Sequence, residues 1–451
     1  MRKYFGTDGV RAVAGQFPLT EDFIVKLGYC ALKEIEQYGH QKGHVKNIII
    51  AEDSRASGEQ IANYLARGIR AAGYNVINIG IAPTPAVAYL TQKYNAVCGV
   101  VISASHNPAE FNGIKFFGAN GAKLSEAIEE AIENLIEQTT TVPSPQEGTE
   151  FKKDETLIRP YIDFLKSTIP SNLDLKGTKV VLDCANGASY KIAPQIFSEL
   201  GAKTIVLNNT PNGLNINENS GALHTKNMQE ATKNENAFIG FSFDGDADRL
   251  IAADEEGSQL DGDILISIAA ISLKEQGKLK QNKVVLTVMA NLGLINFLKQ
   301  NGIEPVLTQV GDKYVLEAME KEDLSLGGET SGHIIFRDIS RAGDGILCAL
   351  QVLSIVKQSG KKPSWFKKQW TKYPLRLLQV KVQEKTPLDK IEGFLPYIKQ
   401  LEESMQGKGR IFVRYSGTEP LLRILVEGQD EKQVEELAQK SVDFYKMKTG
   451  N

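Results

Sequence analysis

Strand-like and helix-like apolar patterns alternate along most of the chain. Phe23, Ile24, Leu27, Ala31, Ile35 and Tyr38 recur at helical spacing, and Gly39 is placed to close that helix. The run NIIIA (47–51) reads as a buried strand. Ser57 with Gln60 then gives a capping-box signal for a helix whose Ile61, Leu65 and Ile69 share one face; Gly73 stops it and NVINIG (75–80) returns as a strand. The same order of strand, loop, helix and strand recurs at KVVLDCANGAS, YKIAPQIFSELG and KTIVLN, and again at KVVLTVMANLG, LINFLKQNG and EPVLTQ. Three such units predict repeated α/β domains with parallel or mixed sheets. Towards the C-terminus LQVKVQ, GRIFVRY and LLRILVEG read as strands with helices between them.

Breaks in the pattern suggest where domains end. TTTVPSPQEGTEFKK (139–153) is polar and contains proline, ADEEGS (253–258) is a second polar gap, and a third falls near Lys361 to Ser364. The expected domains are therefore 1–153, 154–254, 255–364 and 365–451. A length of 451 residues agrees with about three or four domains at usual domain sizes.

Composition narrows the partners. Hydrophobic residues make up 42% and charged residues 24%, as in folded globular proteins. A formal net charge of −3 gives no global basic field, so no nucleic-acid partner is expected, and any anionic ligand must be held locally. Cys30, Cys98, Cys184 and Cys348 form no CxxC pair and suggest neither a zinc site nor a disulfide framework. The start MRKYFGTDGVRAVAG has no signal-peptide apolar core, and the longest apolar run, ILISIAAISL (264–273), is about half a membrane span. A cytoplasmic protein without a membrane partner is the expectation.

In α/β sheets ligands gather at the carboxyl ends of strands, which directs attention to four loops. In VISASHNPAEFNGIKFF (101–117), Ser105 stands at a strand exit, where a nucleophile or phosphate carrier would lie. No GxSxG elbow is present, and adjacent side chains usually diverge, so His106 is expected to be a poor base for Ser105. In FSFDGDADRL (241–250), Asp244, Asp246 and Asp248 offer hard oxygen ligands suited to Mg²⁺ or Ca²⁺. An EF-hand is not expected, because loop position six holds Arg249 where the motif needs a glycine, even though Glu255 stands at position twelve. In LGGETSGHII (326–335), Glu329 and Ser331 can meet sugar hydroxyls, although a plain β-hairpin corner would look alike. In VRYSGTEPLLR (413–423), Arg414, Ser416, the Gly417 N–H, Thr418 and Arg423 form a donor-rich loop for phosphate. Together the four describe a sugar-phosphate enzyme with two anion sites.

SASHNP, DGDADR, GGETSGH and RYSGTEP, in that order after the start YFGTDGVR, resemble the α-D-phosphohexomutases over the whole chain. The resemblance implies three similar α/β domains with mixed sheets plus a smaller, mobile C-terminal α+β domain, around a central cleft. It implies a phosphoserine at Ser105 and Mg²⁺ on Asp244, Asp246 and Asp248, with the phosphoserine oxygen as a further ligand. Lys115, Arg11 and Arg249 match basic residues beside the transferred group, and Glu329 and Ser331 match sugar contacts.

The implied reaction is an isomerisation of glucosamine 6-phosphate to glucosamine 1-phosphate through glucosamine 1,6-bisphosphate, feeding UDP-N-acetylglucosamine synthesis for the cell envelope. The start GTDGVR and the SASHNP variant favour this sugar over mannose or glucose phosphates. A non-catalytic sugar-phosphate sensor is the reading from another class, and the intact Ser105 and aspartates oppose it. Lys115, His333 and Arg11 are the acid and base candidates, and a lysine placed among cations would have a lowered pKa. A homodimer is compatible with this picture. Ala12, Glu52, Ser54 and Lys313 depart from the family pattern, and Lys313 cannot reproduce an arginine fork.

Overall fold

A computed structural model describes residues 3–6, 8–38, 44–416 and 420–450. The chain forms two compact units, one of residues 1–289 with 303–367 and the other of 290–302 with 368–451. The apolar runs quoted above become strands or helix faces, and among the described residues they give four sheets.

The first sheet contains β1 (Val10–Val13), β2 (Val45–Glu52), β3 (Asn75–Ile81), β4 (Ala96–Ile102), β5 (Phe111–Gly118) and β6 (Phe151–Lys153), in the order β1-β5-β4-β2-β3-β6. Strands β4, β2, β3 and β6 run parallel, while β5 turns back against β4 and β1 against β5. The polar segment 139–153 therefore ends as an edge strand and not as a free linker. The second sheet contains β7 (Lys179–Asp183), β8 (Lys203–Leu207), β9 (Ile239–Phe243), β10 (Leu250–Ala253) and β11 (Gln259–Leu260), in the order β11-β10-β9-β7-β8. The turn 254–258 joins β10 to β11 within this sheet. The third contains β12 (Lys283–Thr287), β13 (Glu304–Thr308), β14 (Leu326–Gly328) and β15 (Ile334–Phe336), in the order β13-β12-β14-β15.

These three sheets share one device. A parallel strand enters a loop and the chain returns as an antiparallel neighbour: β4 to β5, β9 to β10 and β14 to β15. The SASHNP, DGDADR and GGETSGH loops are these three connections. Continuous burial explains the strands: β4 and β9 are buried along their whole length, as parallel strands covered on both faces require.

The second unit is built on β16 (Leu375–Lys381), β17 (Gly409–Tyr415) and β18 (Leu421–Gly428), an antiparallel sheet in the order β16-β18-β17. Its core collects Phe394, Leu422, Ile424, Val426 and Tyr445. The helix Leu292–Gln300 belongs to this unit, where Leu292 N donates to Glu427 Oε1 at 2.9 Å and Tyr373 N to Asn291 Oδ1 at 2.9 Å.

Two local expectations change. The helix Gly58–Ala71 begins after Ser57, but the capping box does not form; the Ser57 hydroxyl accepts from Asn112 Nδ2 at 2.8 Å. The helix Glu21–Gln37 forms as its pattern predicts, while Gly39 lies outside the described residues.

Candidate active site

Strand β4 is fully buried and delivers Ser103, Ala104 and Ser105 to its carboxyl end. Ser105 has φ +51°, a left-handed conformation that costs a non-glycine residue roughly 1–2 kcal/mol. The surroundings hold it there. Arg55 Nη2 and Asn217 Nδ2 donate to Ser105 O at 3.0 and 2.9 Å, and Ser105 N donates to Ser103 Oγ at 2.8 Å. Arg55 also donates to the carbonyls of Asn107, Pro108 and Phe111, and it is itself fixed by Asp53, 2.9 Å from its Nε. Asp53 in turn accepts from Ser103 Oγ at 2.6 Å. One buried guanidinium thus organises the whole loop.

The loop after β9 faces it. Ser105 Oγ donates to Asp244 Oδ2 at 2.7 Å. The approach depends on Gly245, where a Cβ would stand 2.5 Å from Ser105 O. The expected divergence of the Ser105 and His106 side chains is not realised: His106 Nδ1 lies 3.4 Å from Ser105 Oγ, because the left-handed Ser105 turns the two side chains together. Burial, with Arg249 and Arg11 nearby, lowers His106 to about 4, which leaves a neutral and weakly basic imidazole.

Asp244, Asp246 and Asp248 each place a carboxylate oxygen within 4.8 Å of the others, all buried. Thr84 Oγ1 and Lys115 Nζ donate to Asp246 Oδ2 at 2.7 and 2.8 Å, while Arg249 N donates to Asp244 Oδ1 at 3.1 Å. Asp246 Oδ1 and Asp248 Oδ1 are buried without a hydrogen-bond partner among the described residues. Burial, then Asp248 and Asp246, push the Asp244 carboxyl well above its usual range. Orphaned carboxylate oxygens and mutual repulsion are what a hard divalent cation would relieve, so this donor set fits one.

Lys115 overturns the expectation of a lowered pKa. Burial alone would lower it, but Asp246, Asp8 and Asp248 outweigh burial and raise it above its ordinary value. The amine sits between Asp246 at 2.8 Å and Asp8 at 2.9 Å. Asp8 also pairs with Arg11 and Lys123. The segment carrying Asp8 and Arg11 is anchored by Glu133, whose carboxylate accepts from the backbone N–H groups of Lys3, Tyr4 and Phe5 at 2.6–2.7 Å. Arg249 is mostly buried beside Asp248, 3.9 Å from its Nε.

The β14–β15 hairpin brings His333 to the same cluster. Its Nδ1 is 3.6 Å from Asp248 Oδ2 and its Nε2 is 3.6 Å from Asp312 Oδ2. Burial opposes its charge, but Asp248, then Asp312 and Glu329, favour the charged ring and raise it to about 9. Glu329 is buried and accepts from Gly311 N at 3.1 Å, whereas Ser331 is exposed. Lys313 lines the same cavity as Asp248 and His333, with its Nζ 3.6 and 3.7 Å from Glu126 and Glu129.

In the second unit Arg414 and Arg423 are directly opposed in the β17–β18 ladder. Burial and Arg423 lower the pKa of Arg414. Like charges placed opposite one another destabilise a sheet, and an anion between them reverses that effect. Ser416 is buried beside them, its N–H on Leu421 O at 2.8 Å. Gly417 and Thr418 lie outside the described residues.

Sequence reasoning assigned no role to Asp8, Asp53, Thr84, Lys123, Asn217 or Asp312. Asp8 lies inside the quoted GTDG start and Asp53 and Arg55 inside DSR, but their partners are far away in sequence. Asn217 carries no local signal.

A hydroxyl held against a buried carboxylate cluster, with cations around it and repeated α/β sheets beneath, defines an enzyme of phosphoryl transfer. The chain belongs to the phosphoglucomutase/phosphomannomutase family. Models of its alpha/beta/alpha domains I, II and III match residues 2–143, 159–257 and 261–373, and the C-terminal domain model matches 377–443. It is a phosphomutase, an isomerase. A phosphoglucosamine mutase of Clostridium botulinum is 45% identical over 448 residues, covering 97% of each chain. Among solved structures, a phosphoglucomutase/phosphomannomutase family protein from Burkholderia thailandensis superposes with a TM-score of 0.81 at 21% identity, covering 99% of this chain and 98% of that one. An N-acetylphosphoglucosamine mutase of Aspergillus fumigatus, in complex with GlcNAc-6P and magnesium, gives 0.66 at 19% identity, covering 100% and 96%. No helix among the described residues is long and apolar enough to cross a membrane.

Proposed function

We propose that the chain interconverts glucosamine 6-phosphate and glucosamine 1-phosphate, with Ser105 as the phosphoryl carrier and glucosamine 1,6-bisphosphate as the intermediate. The observation that carries this reading is the Ser105 hydroxyl on Asp244, inside the aspartate cluster. The name borne by the 45%-identical relative supports the choice of sugar. The product would feed UDP-N-acetylglucosamine synthesis in the cytoplasm, a reducing compartment that four buried free thiols fit.

Asp244, Asp246 and Asp248 would hold Mg²⁺, the ion present in the Aspergillus complex. When bound, it supplies positive charge to a phosphoryl group on Ser105. The chain's own groups do the rest. Lys115 and Arg249 bring fixed cations to the reacting oxygens, and Arg11 stands behind Lys115 through Asp8. His333, whose charged form Asp248 and Asp312 favour, is our choice of proton donor, with Lys115 and Arg11 as the other acid and base candidates. Glu329 and Ser331 meet the sugar hydroxyls. Arg414, Ser416, Gly417, Thr418 and Arg423 take the phosphate that is not reacting. The limits 1–153, 154–254, 255–364 and 365–451 remain our division of the chain; the matches to domains I and II support the first two boundaries, while β11 continues the second sheet beyond 254 and the domain III match runs on to 373.

Assays with glucosamine, glucose and mannose phosphates, each started with its bisphosphate, test the reading. Glucosamine phosphate should show the highest kcat/KM by a large factor. A higher value with mannose 6-phosphate would reassign the substrate.

A further inference from the structure

Seven side chains alternate in charge from one catalytic loop to the next. Asp246 meets Lys115, Lys115 meets Asp8, Asp8 meets Lys123, Lys123 meets Asp312, and His333 stands between Asp312 and Asp248. The Asp244–Asp248 loop closes the series. Three of these groups come from the first sheet and its loops, two from the second and two from the third. Lys123 is the sole direct join between the first and third within this series, linking residues 115 and 189 positions away.

The two partners of Lys123 depend on it unequally. Asp8 keeps Lys115 and Arg11 if Lys123 is lost. Asp312 keeps only His333 in this series, since its Oδ1 is already taken up by the Lys313 N–H at 2.9 Å. Removing the Lys123 charge therefore leaves Asp8 and Asp312 as like charges across the boundary and frees Asp312 to draw His333 away from Asp248.

We propose that Lys123 is a positioning residue of the mutase reaction: through Asp312 it sets where His333 stands relative to the Asp244–Asp248 loop. It touches no reacting atom, and its effect passes through one carboxylate. This rests on the phosphomutase reading above. A cavity of about 220 Å³ beside Lys123 is walled by Phe117, Leu124, Leu316 and Ile335 on one part and by Asp248, Asp312 and His333 on another; Lys123→Met removes the charge while its stem can keep the apolar contacts.

The test is a double-mutant cycle on kcat and KM with Lys123→Met, Asp312→Asn and the pair, alongside Lys123→Arg, using whichever hexose phosphate the native enzyme turns over best. Lys123→Met should lower kcat about tenfold or more with KM changed less than about twofold, and the pair should lose no more than about twofold beyond Lys123→Met alone. Lys123→Arg should restore most of the rate. Amide exchange over 329–336 should quicken in Lys123→Met, a readout independent of which sugar is the substrate and of whether any is turned over. Multiplicative losses in the pair, a loss confined to KM, no recovery with arginine, or unchanged exchange over 329–336 would each overturn the assignment.

Discussion

Ser105 Oγ lies 2.7 Å from Asp244 Oδ2, although 139 residues separate them along the chain. The contact joins the strand exits of two different sheets, and it places a hydroxyl where a phosphoryl group would share any cation that the aspartate cluster holds. Ser105→Ala should therefore abolish mutase turnover while leaving the melting temperature within a few degrees of the native enzyme. Near-normal turnover would remove Ser105 from its role.

Ser103 provides a graded comparison. Its hydroxyl accepts from Ser105 N and donates to buried Asp53. Ser103→Ala leaves that carboxylate short of a partner, at a cost of about 1–3 kcal/mol in unfolding free energy. Chemical denaturation should show this loss, and turnover should fall far less than in Ser105→Ala.

Exhaustive chelation should stop the reaction, and Mg²⁺ should restore it. Asp246→Asn should raise the Mg²⁺ concentration for half-maximal rate on the order of tenfold or more. It also removes the charge that Lys115 faces at 2.8 Å. Full activity after chelation would contradict the assignment of the aspartate cluster.

Glu52 gives a pH dependence of stability. Burial raises its carboxyl to about 7 from an ordinary value of 4.5, and its Oε2 has no hydrogen-bond partner among the described residues. Between these two values the folded chain binds a proton that the unfolded chain releases, so this group's contribution makes stability fall as pH rises from about 4.5 to 7. Glu52→Gln should remove that slope and stabilise the protein at pH 8 by on the order of 2 kcal/mol. Denaturation midpoints at pH 5 and pH 8 for both proteins check it; an identical slope in the variant would show that Glu52 is not its source.

The opposed arginines of β17 and β18 predict a symmetric defect. A lost charge-assisted hydrogen bond costs roughly 1.5–3 kcal/mol, or about ten- to a hundredfold in kcat/KM. Arg423→Ala should fall in that range in both directions of the reaction, because either phosphate of the sugar takes its turn there. A defect in one direction only would contradict a shared phosphate holder.

Much of this was legible in the chain. Strands such as β17 and β18 follow their apolar runs because a buried face demands that alternation, and DGDADR announces hard oxygen ligands by residue type alone. What sequence could not carry was pairing across distance. Lys115 looked like a lysine among cations because its neighbours in the motifs are arginines; its carboxylate partners Asp8 and Asp246 come from 107 and 131 positions away, counting from the residue numbers. His106 looked remote because a right-handed or extended Ser105 would separate the two side chains, and only the tertiary contacts of Arg55 and Asn217 hold Ser105 left-handed. The Ser57 cap failed for a similar reason, since Asn112 of β5 claims the hydroxyl.

The most direct measurement is a single turnover. Enzyme phosphorylated on Ser105, freed of small molecules and mixed with one equivalent of glucosamine 6-phosphate and Mg²⁺, is followed by mass spectrometry of both protein and sugar. The account predicts that phosphate disappearing from Ser105 appears as glucosamine 1,6-bisphosphate or is returned to the serine with release of glucosamine 1-phosphate. Phosphate that stays on Ser105, or that leaves it only as inorganic phosphate, would contradict it.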